Sequence, residues 1–171
     1  MKDERNLIVY LLRHAPAEER DPTRWPDDAH RPLSRKGRHR CDRIAKTLGR
    51  LGLGVDVVLS SPFERARQTA QVVARQLGTE LRYEDALKPD GEFEAIIDLL
   101  RDLGAGAVML VGHEPALGEL AGRVLCGTPA DFISLKKAGI LRLHVHRFDA
   151  RGACARLDWM LAPSLLACLE Q

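Results

Sequence analysis

Leu7-Ile8-Val9-Tyr10-Leu11-Leu12-Arg13-His14 is a run of apolar strand formers that stops at two basic side chains. An apolar run with no polar break suits a strand covered on both faces, as in a parallel sheet between two helix layers. The pattern recurs at Val55-Asp56-Val57-Val58-Leu59 and at Ala107-Val108-Met109-Leu110-Val111. Between these runs the apolar period changes to that of a helix. Cys41, Ile44, Ala45, Leu48 and Leu51 fall on one helical face, closed by Gly49, Gly52 and Gly54. Phe63, Ala66, Ala70, Val73 and Leu77 make a second face, and Phe93, Ile96, Ile97, Leu100 and Leu103 a third. Leu117, Leu120, Ala121, Val124 and Leu125 make a fourth. Ser61, Pro62 and Glu64 read as a capping box with proline in the first helical position. With a weak strand near Glu80 to Tyr83, the order is β-α-β-α-β-α-β-α.

The last third is patterned differently. Leu141, Leu143 and Val145 alternate with Arg142, His144 and His146, and Ala155, Leu157, Trp159 and Leu161 alternate beyond a turn at Asp149-Ala150-Arg151-Gly152. The expected fold is therefore α/β with three layers, a mostly parallel sheet and a C-terminal antiparallel hairpin, as a single domain over residues 1–171.

Composition narrows the function classes. The chain has 171 residues, 45% hydrophobic and 29% charged, an ordinary globular balance. A net charge of +2 without a long like-charged block argues against general capture of nucleic acid. The first apolar run is too short for a signal-peptide core or a membrane span, so neither export nor membrane insertion is expected. Cys41, Cys126, Cys154 and Cys168 are scattered without a Cys-x-x-Cys pair, which favours reduced thiols in the cytoplasm over a zinc cage.

The chemistry concentrates at strand ends, where open α/β sheets bind ligands. The first strand ends in Arg13 and His14, the second leads through Ser60-Ser61 to Arg65, and the fourth ends in His113. Two guanidiniums and two imidazoles at one rim suit a phosphoryl group: the forks hold its oxygens and a neutral imidazole attacks phosphorus. The sequence has no Walker loop, Asp-rich magnesium motif or His-Glu-x-x-His helix, so no metal or other cofactor is expected. Residues 15 to 32 are polar and carry Pro16, Pro22, Pro26 and Pro32, which marks a long loop of the kind that carries function.

Leu11-Leu12-Arg13-His14-Ala15 resembles the Arg-His-Gly signature of the histidine phosphatase superfamily, which has the phosphoglycerate mutase-like fold. Ser60 to Thr69 is similar to its second signature, and Val111-Gly112-His113-Glu114-Pro115 to its third. Arg31-Pro32-Leu33-Ser34 with Gly37, and Trp159 with Pro163, resemble the SixA-type phosphohistidine phosphatases. The resemblance implies that His14 is phosphorylated, that Arg13 and Arg65 clamp phosphate, and that His113 stabilises the transferring group. Ser60 and Arg31 are placed at the pocket wall. The implied substrate is phosphohistidine on a partner protein, with a small phosphomonoester or a phosphate-binding module without turnover as alternatives. Ala15 stands where the family has glycine. Larger relatives use a glutamate as proton donor, for which Glu84, Asp85, Asp90 and Glu92 are the candidates here. The absence of long insertions predicts a shallow, open site. The cluster Arg35, Lys36, Arg38, Arg40 and Arg43 is a solvated helix face that also suits an acidic phosphoprotein.

Overall fold

The computed structural model describes residues 3–128, 132–149 and 152–169. Strand β1 runs Asp3–Arg13 and is followed by the long loop, which holds one 3-10 turn at Asp28–His30. Helix α1 (Arg35–Arg50), β2 (Val57–Ser60), α2 (Glu64–Leu77) and β3 (Glu80–Tyr83) come next, then α3 (Phe93–Asp102), β4 (Ala107–Gly112) and α4 (Ala116–Cys126). The chain closes with β5 (Ile140–Asp149), β6 (Gly152–Leu161) and a short α5 (Pro163–Cys168). The sheet order is β3-β2-β4-β1-β5-β6, with β1 to β4 parallel and the hairpin antiparallel. Ala150 and Arg151 of the expected turn lie outside the described residues.

Strand alternation builds the three layers. Leu7, Val9 and Leu11 join Val57, Leu59, Val108 and Leu110 on the face covered by α3 and α4. Tyr10 and Leu12 join Val58, Met109 and Val111 on the face covered by α1, α2 and α5. Each enclosed leucine-sized side chain contributes about 2 kcal/mol, so both faces must be covered for these strands to be stable. Among the described residues no helix is long and apolar enough to cross a membrane, and all four cysteines are free.

Three local readings are corrected. The Ser61-Pro62-Glu64 capping box does not form: α2 begins at Glu64, and Ser61 Oγ accepts from the Phe63 N–H at 3.2 Å in a tight turn before the helix. The alternation of β6 is broken by a register shift in its pairing with β5, where Arg142 faces Trp159 but Leu143 faces Leu157. Ala155 therefore packs on one core and Trp159 and Leu161 on the other, while Leu157 is exposed. Helix α5 was not expected; its one buried residue, Leu166, completes the cover over α1.

Gly37 fixes how α1 meets the loop after β1. Ser34 caps the helix, its Oγ accepting from the Gly37 N–H at 3.0 Å, and the Ser34 N–H donates to the Pro16 carbonyl at 3.1 Å. A Cβ on Gly37 would stand 1.7 Å from that same carbonyl oxygen. Gly37→Ala should therefore cost about 3 kcal/mol, read as a lower urea midpoint. An unchanged midpoint would contradict the close approach.

Candidate active site

The strand register brings the loaded positions together. Arg13 pairs with Gly112 and Ser60 with Val111, so β1, β2 and β4 end side by side. The His14 N–H donates to the Gly112 carbonyl at 3.1 Å, and the Ala138 N–H donates to the carbonyls of both Arg13 and His14 at 3.1 Å. Ala138 adopts φ 67°, a left-handed conformation that alanine takes at some cost and that is held here by those two bonds. Ala15 has no positive φ, so its turn does not require the glycine of the family pattern. Its N–H donates to Thr69 Oγ1 at 3.0 Å, tying the loop to α2.

His14 is 5% exposed, and its Nδ1 lies 2.7 Å from the Ala15 carbonyl oxygen. A carbonyl only accepts, so Nδ1 carries the hydrogen and Nε2 keeps a free lone pair. His113 is 3% exposed, with its ring centroid 5.2 Å from that of His14. Its Nε2 stands 2.9 Å from Ser61 Oγ, whose lone pair already accepts from Phe63. Ser61 Oγ has a hydrogen to give and a second lone pair to accept with, so this contact serves either tautomer of His113, and the other ring nitrogen, Nδ1, is left without a partner.

Burial lowers the pKa of both imidazoles to about 3, with the nearby Arg65 and Arg13 adding to the effect; Lys137 acts on His14, and His14 itself on His113. Both rings are therefore neutral in the native state at physiological pH. An unfolded histidine takes up a proton below about 6.5, so the native state is favoured above that value and loses stability as pH falls toward 3. Each ring contributes a slope of about 1.4 kcal/mol per pH unit in that window. Urea midpoints at pH 7 and pH 5 should differ markedly for the wild type and much less for a His14→Asn/His113→Asn variant. Equal slopes for the two proteins would show that the rings are not buried neutral.

Arg65 is 5% exposed, and its Nη1 reaches both the carbonyl oxygen of Asp28, at 2.9 Å, and the Asp28 carboxylate, at 3.1 Å. The Phe63 ring lies 5.1 Å from its guanidinium carbon and meets His113 edge-on at 5.4 Å. Arg13 Nη1 donates to the Leu135 carbonyl at 2.7 Å, and the Leu135 N–H donates to the Glu114 carboxylate at 3.0 Å. Desolvation lowers the pKa of both arginines and raises that of Glu114.

Among the described residues three buried nitrogens of this site have no partner: Arg13 Nε, Arg65 Nε and His113 Nδ1. An unpartnered buried guanidinium N–H costs about 1–3 kcal/mol, and both guanidiniums lie close enough to His14 for their charge to act on it, which suits a small oxyanion. Among the described residues no cluster of three or more His, Cys, Asp or Glu is placed to hold a metal ion.

Of the sequence candidates, His14, Arg13, Arg65 and His113 come together. Ser60 does not serve as expected: it is buried and turns its hydroxyl to the Ser61 carbonyl at 2.9 Å, and Ser61 makes the contact with His113. Arg31 reaches the site only through a shared carboxylate, its Nε 2.7 Å from Asp28 Oδ1. The expected shallow site is deeper at its reactive groups, which are nearly enclosed. Asp85 is paired with Lys88 at 2.8 Å, Asp90 and Glu92 are exposed, and Glu84 lies beside the strand ends, its N–H on the Ser60 carbonyl at 2.9 Å. Asp28, Ser61, Phe63 and Glu114 were missed as functional positions. Only Ser61, Phe63 and Glu114 carried a signal, as neighbours of the motif residues.

A model of the histidine phosphatase superfamily (branch 1) matches residues 9–89. The chain belongs to the histidine phosphatase superfamily. An uncharacterized protein of Picosynechococcus sp. is 37% identical over 141 residues, covering 80% of this chain and 84% of that one. A crystal structure of an Agrobacterium tumefaciens protein assigned as the phosphohistidine phosphatase SixA superposes with a TM-score of 0.75 at 28% identity, covering 92% of this chain and 99% of that one. The protein histidine phosphatase SixA in complex with tungstate gives a TM-score of 0.79 at 23% identity, covering 92% and 98%. The phosphatase fold is thus SixA-like.

Proposed function

We propose that residues 1–171 act as one phosphatase domain that hydrolyses phosphohistidine on a partner protein through a phosphorylated His14. The single observation that carries the chemistry is the set of unpartnered buried nitrogens, Arg13 Nε, Arg65 Nε and His113 Nδ1, on side chains beside the neutral imidazole of His14; in this reading His113 takes the tautomer with its hydrogen on Nδ1. Phosphohistidine as substrate is supported by the likeness to the Agrobacterium protein assigned as SixA.

Each step balances. His14 Nε2 attacks phosphorus, forming one N–P bond while the substrate's N–P bond breaks. The substrate imidazole, protonated on its second nitrogen, departs as neutral imidazole, so the departing nitrogen needs no proton from a glutamate. His14 becomes a cationic phosphoimidazole, and the Nδ1–H bond to the Ala15 carbonyl strengthens as that charge develops. Water then attacks phosphorus and the Nε2–P bond breaks, releasing inorganic phosphate and a proton and restoring neutral His14. Arg13, Arg65 and His113 act on the charge of the three equatorial oxygens, where most of the rate in phosphoryl transfer originates.

The test is a comparison of kcat/KM for a phosphohistidine-bearing protein, free phosphohistidine and p-nitrophenyl phosphate, with and without excess EDTA. The expected result is a clear preference for the N–P substrates that survives EDTA. Preference for the phosphomonoester would transfer the reading to a small metabolite, binding of phosphate without turnover of any substrate would make the domain a binding module, and loss of activity in EDTA would require a metal.

A further inference from the structure

A basic groove adjoins the phosphate site, and of its lining residues only Arg13 takes part in the chemistry above. It has a volume of about 600 Å³ and lies between α1, the segment before β5 and α5. Lys36 and Arg40 of α1 and Lys136 and Lys137 of the segment before β5 line it, together with the apolar Ile44, Pro163 and Ala167. Among the described residues no aspartate or glutamate lines it. Among the described residues Lys36, Arg40, Lys136 and Lys137 have no carboxylate partner. The chain as a whole carries a net charge of only +2, so this concentration of cations is local.

Two contacts join the groove to the reacting centre. Arg13 lines it and is also one of the site's phosphate donors. Lys137 lies close enough to His14 for its charge to act on that ring. Resting on the phosphohistidine reading above, we propose that the groove docks an acidic face of the partner protein, with one apolar side chain of that face seated on Ile44 and Ala167. An acidic amphipathic surface fits this lining better than a bare polyanion does, because a polyanion would leave Ile44, Pro163 and Ala167 uncovered.

Opposite charges at the rim of such a surface act through encounter and KM, and salt screens them. The experiment uses the full chain, a phosphotransfer domain of net negative charge phosphorylated on histidine, and free phosphohistidine. In Lys36→Glu/Arg40→Glu and, separately, in Lys136→Glu, KM for the acidic domain should rise about tenfold or more, with kcat and the free phosphohistidine reaction unchanged within about twofold. Rising salt should lower kcat/KM for the domain in wild type and have little effect in the variants. Unchanged KM for the domain, or an equal fall on both substrates, would overturn the docking proposal. Wild type that turned over neither phosphohistidine form would overturn the reading beneath it, an outcome separate from wild type active on both with variants that match it.

Discussion

His14→Ala is expected to lower kcat/KM for phosphohistidine by about 10⁴-fold or more, the largest effect of any single change. The substitution removes the attacking nitrogen, and among the described site groups no second nucleophile replaces it. His113 is not a substitute: its Nε2 is engaged by Ser61 Oγ at 2.9 Å, and in the proposed tautomer its Nδ1 carries the hydrogen. The phosphate cradle survives, since Arg13 is fixed by the Leu135 carbonyl and Arg65 by Asp28. Tungstate should therefore still raise the melting temperature of His14→Ala, as ligand binding to the native state does. Loss of tungstate stabilisation together with activity would mean that the variant had lost the cradle, and retention of substantial activity would mean that His14 is not the nucleophile.

Arg65→Ala should cost about 10³-fold in kcat/KM. Lysine in its place keeps the charge but not the planar fork, so Arg65→Lys should recover only part of that loss. Asp28 separates orientation from charge. Its carboxylate holds Nη1 of Arg65 and Nε of Arg31, and Arg31 is the main reason that its own pKa is lowered. Asp28→Asn leaves Arg65 charged but less firmly aimed and should cost about tenfold, with phosphate affinity falling in parallel. In an Arg65→Ala background the same change should cost nothing further, because its effect passes through a guanidinium no longer present. Additive losses would assign Asp28 a role of its own.

Strands β1, β2 and β4 were legible as short, largely apolar runs, and the basic pair that closes the first is hard to place anywhere but at the end of a covered strand. That Arg13, His14, Arg65 and His113 come together was legible because each ends or follows a strand or opens a helix at the same sheet edge. Short-range geometry was not. Ser60 and Ser61 are adjacent and identical in type, and which hydroxyl reaches His113 depends on how the chain turns after β2. Asp28 lies 37 positions from Arg65 in a loop with no periodicity, so nothing in the pattern couples them. Glu114 acts through the backbone of Leu135, a long-range contact that only the folded chain defines. The same holds for Ala138, whose left-handed conformation is held by hydrogen bonds from its N–H to two distant carbonyls.

The most direct test of a neutral His14 attacking phosphorus within this cradle is to trap the intermediate. Wild-type protein mixed with phosphohistidine substrate and quenched in alkali should carry one phosphate on His14 by mass spectrometry, stable in base, lost in acid and missing from His14→Ala. Turnover with no phosphate on His14 at any quench time, or phosphate found on another residue, would contradict the account.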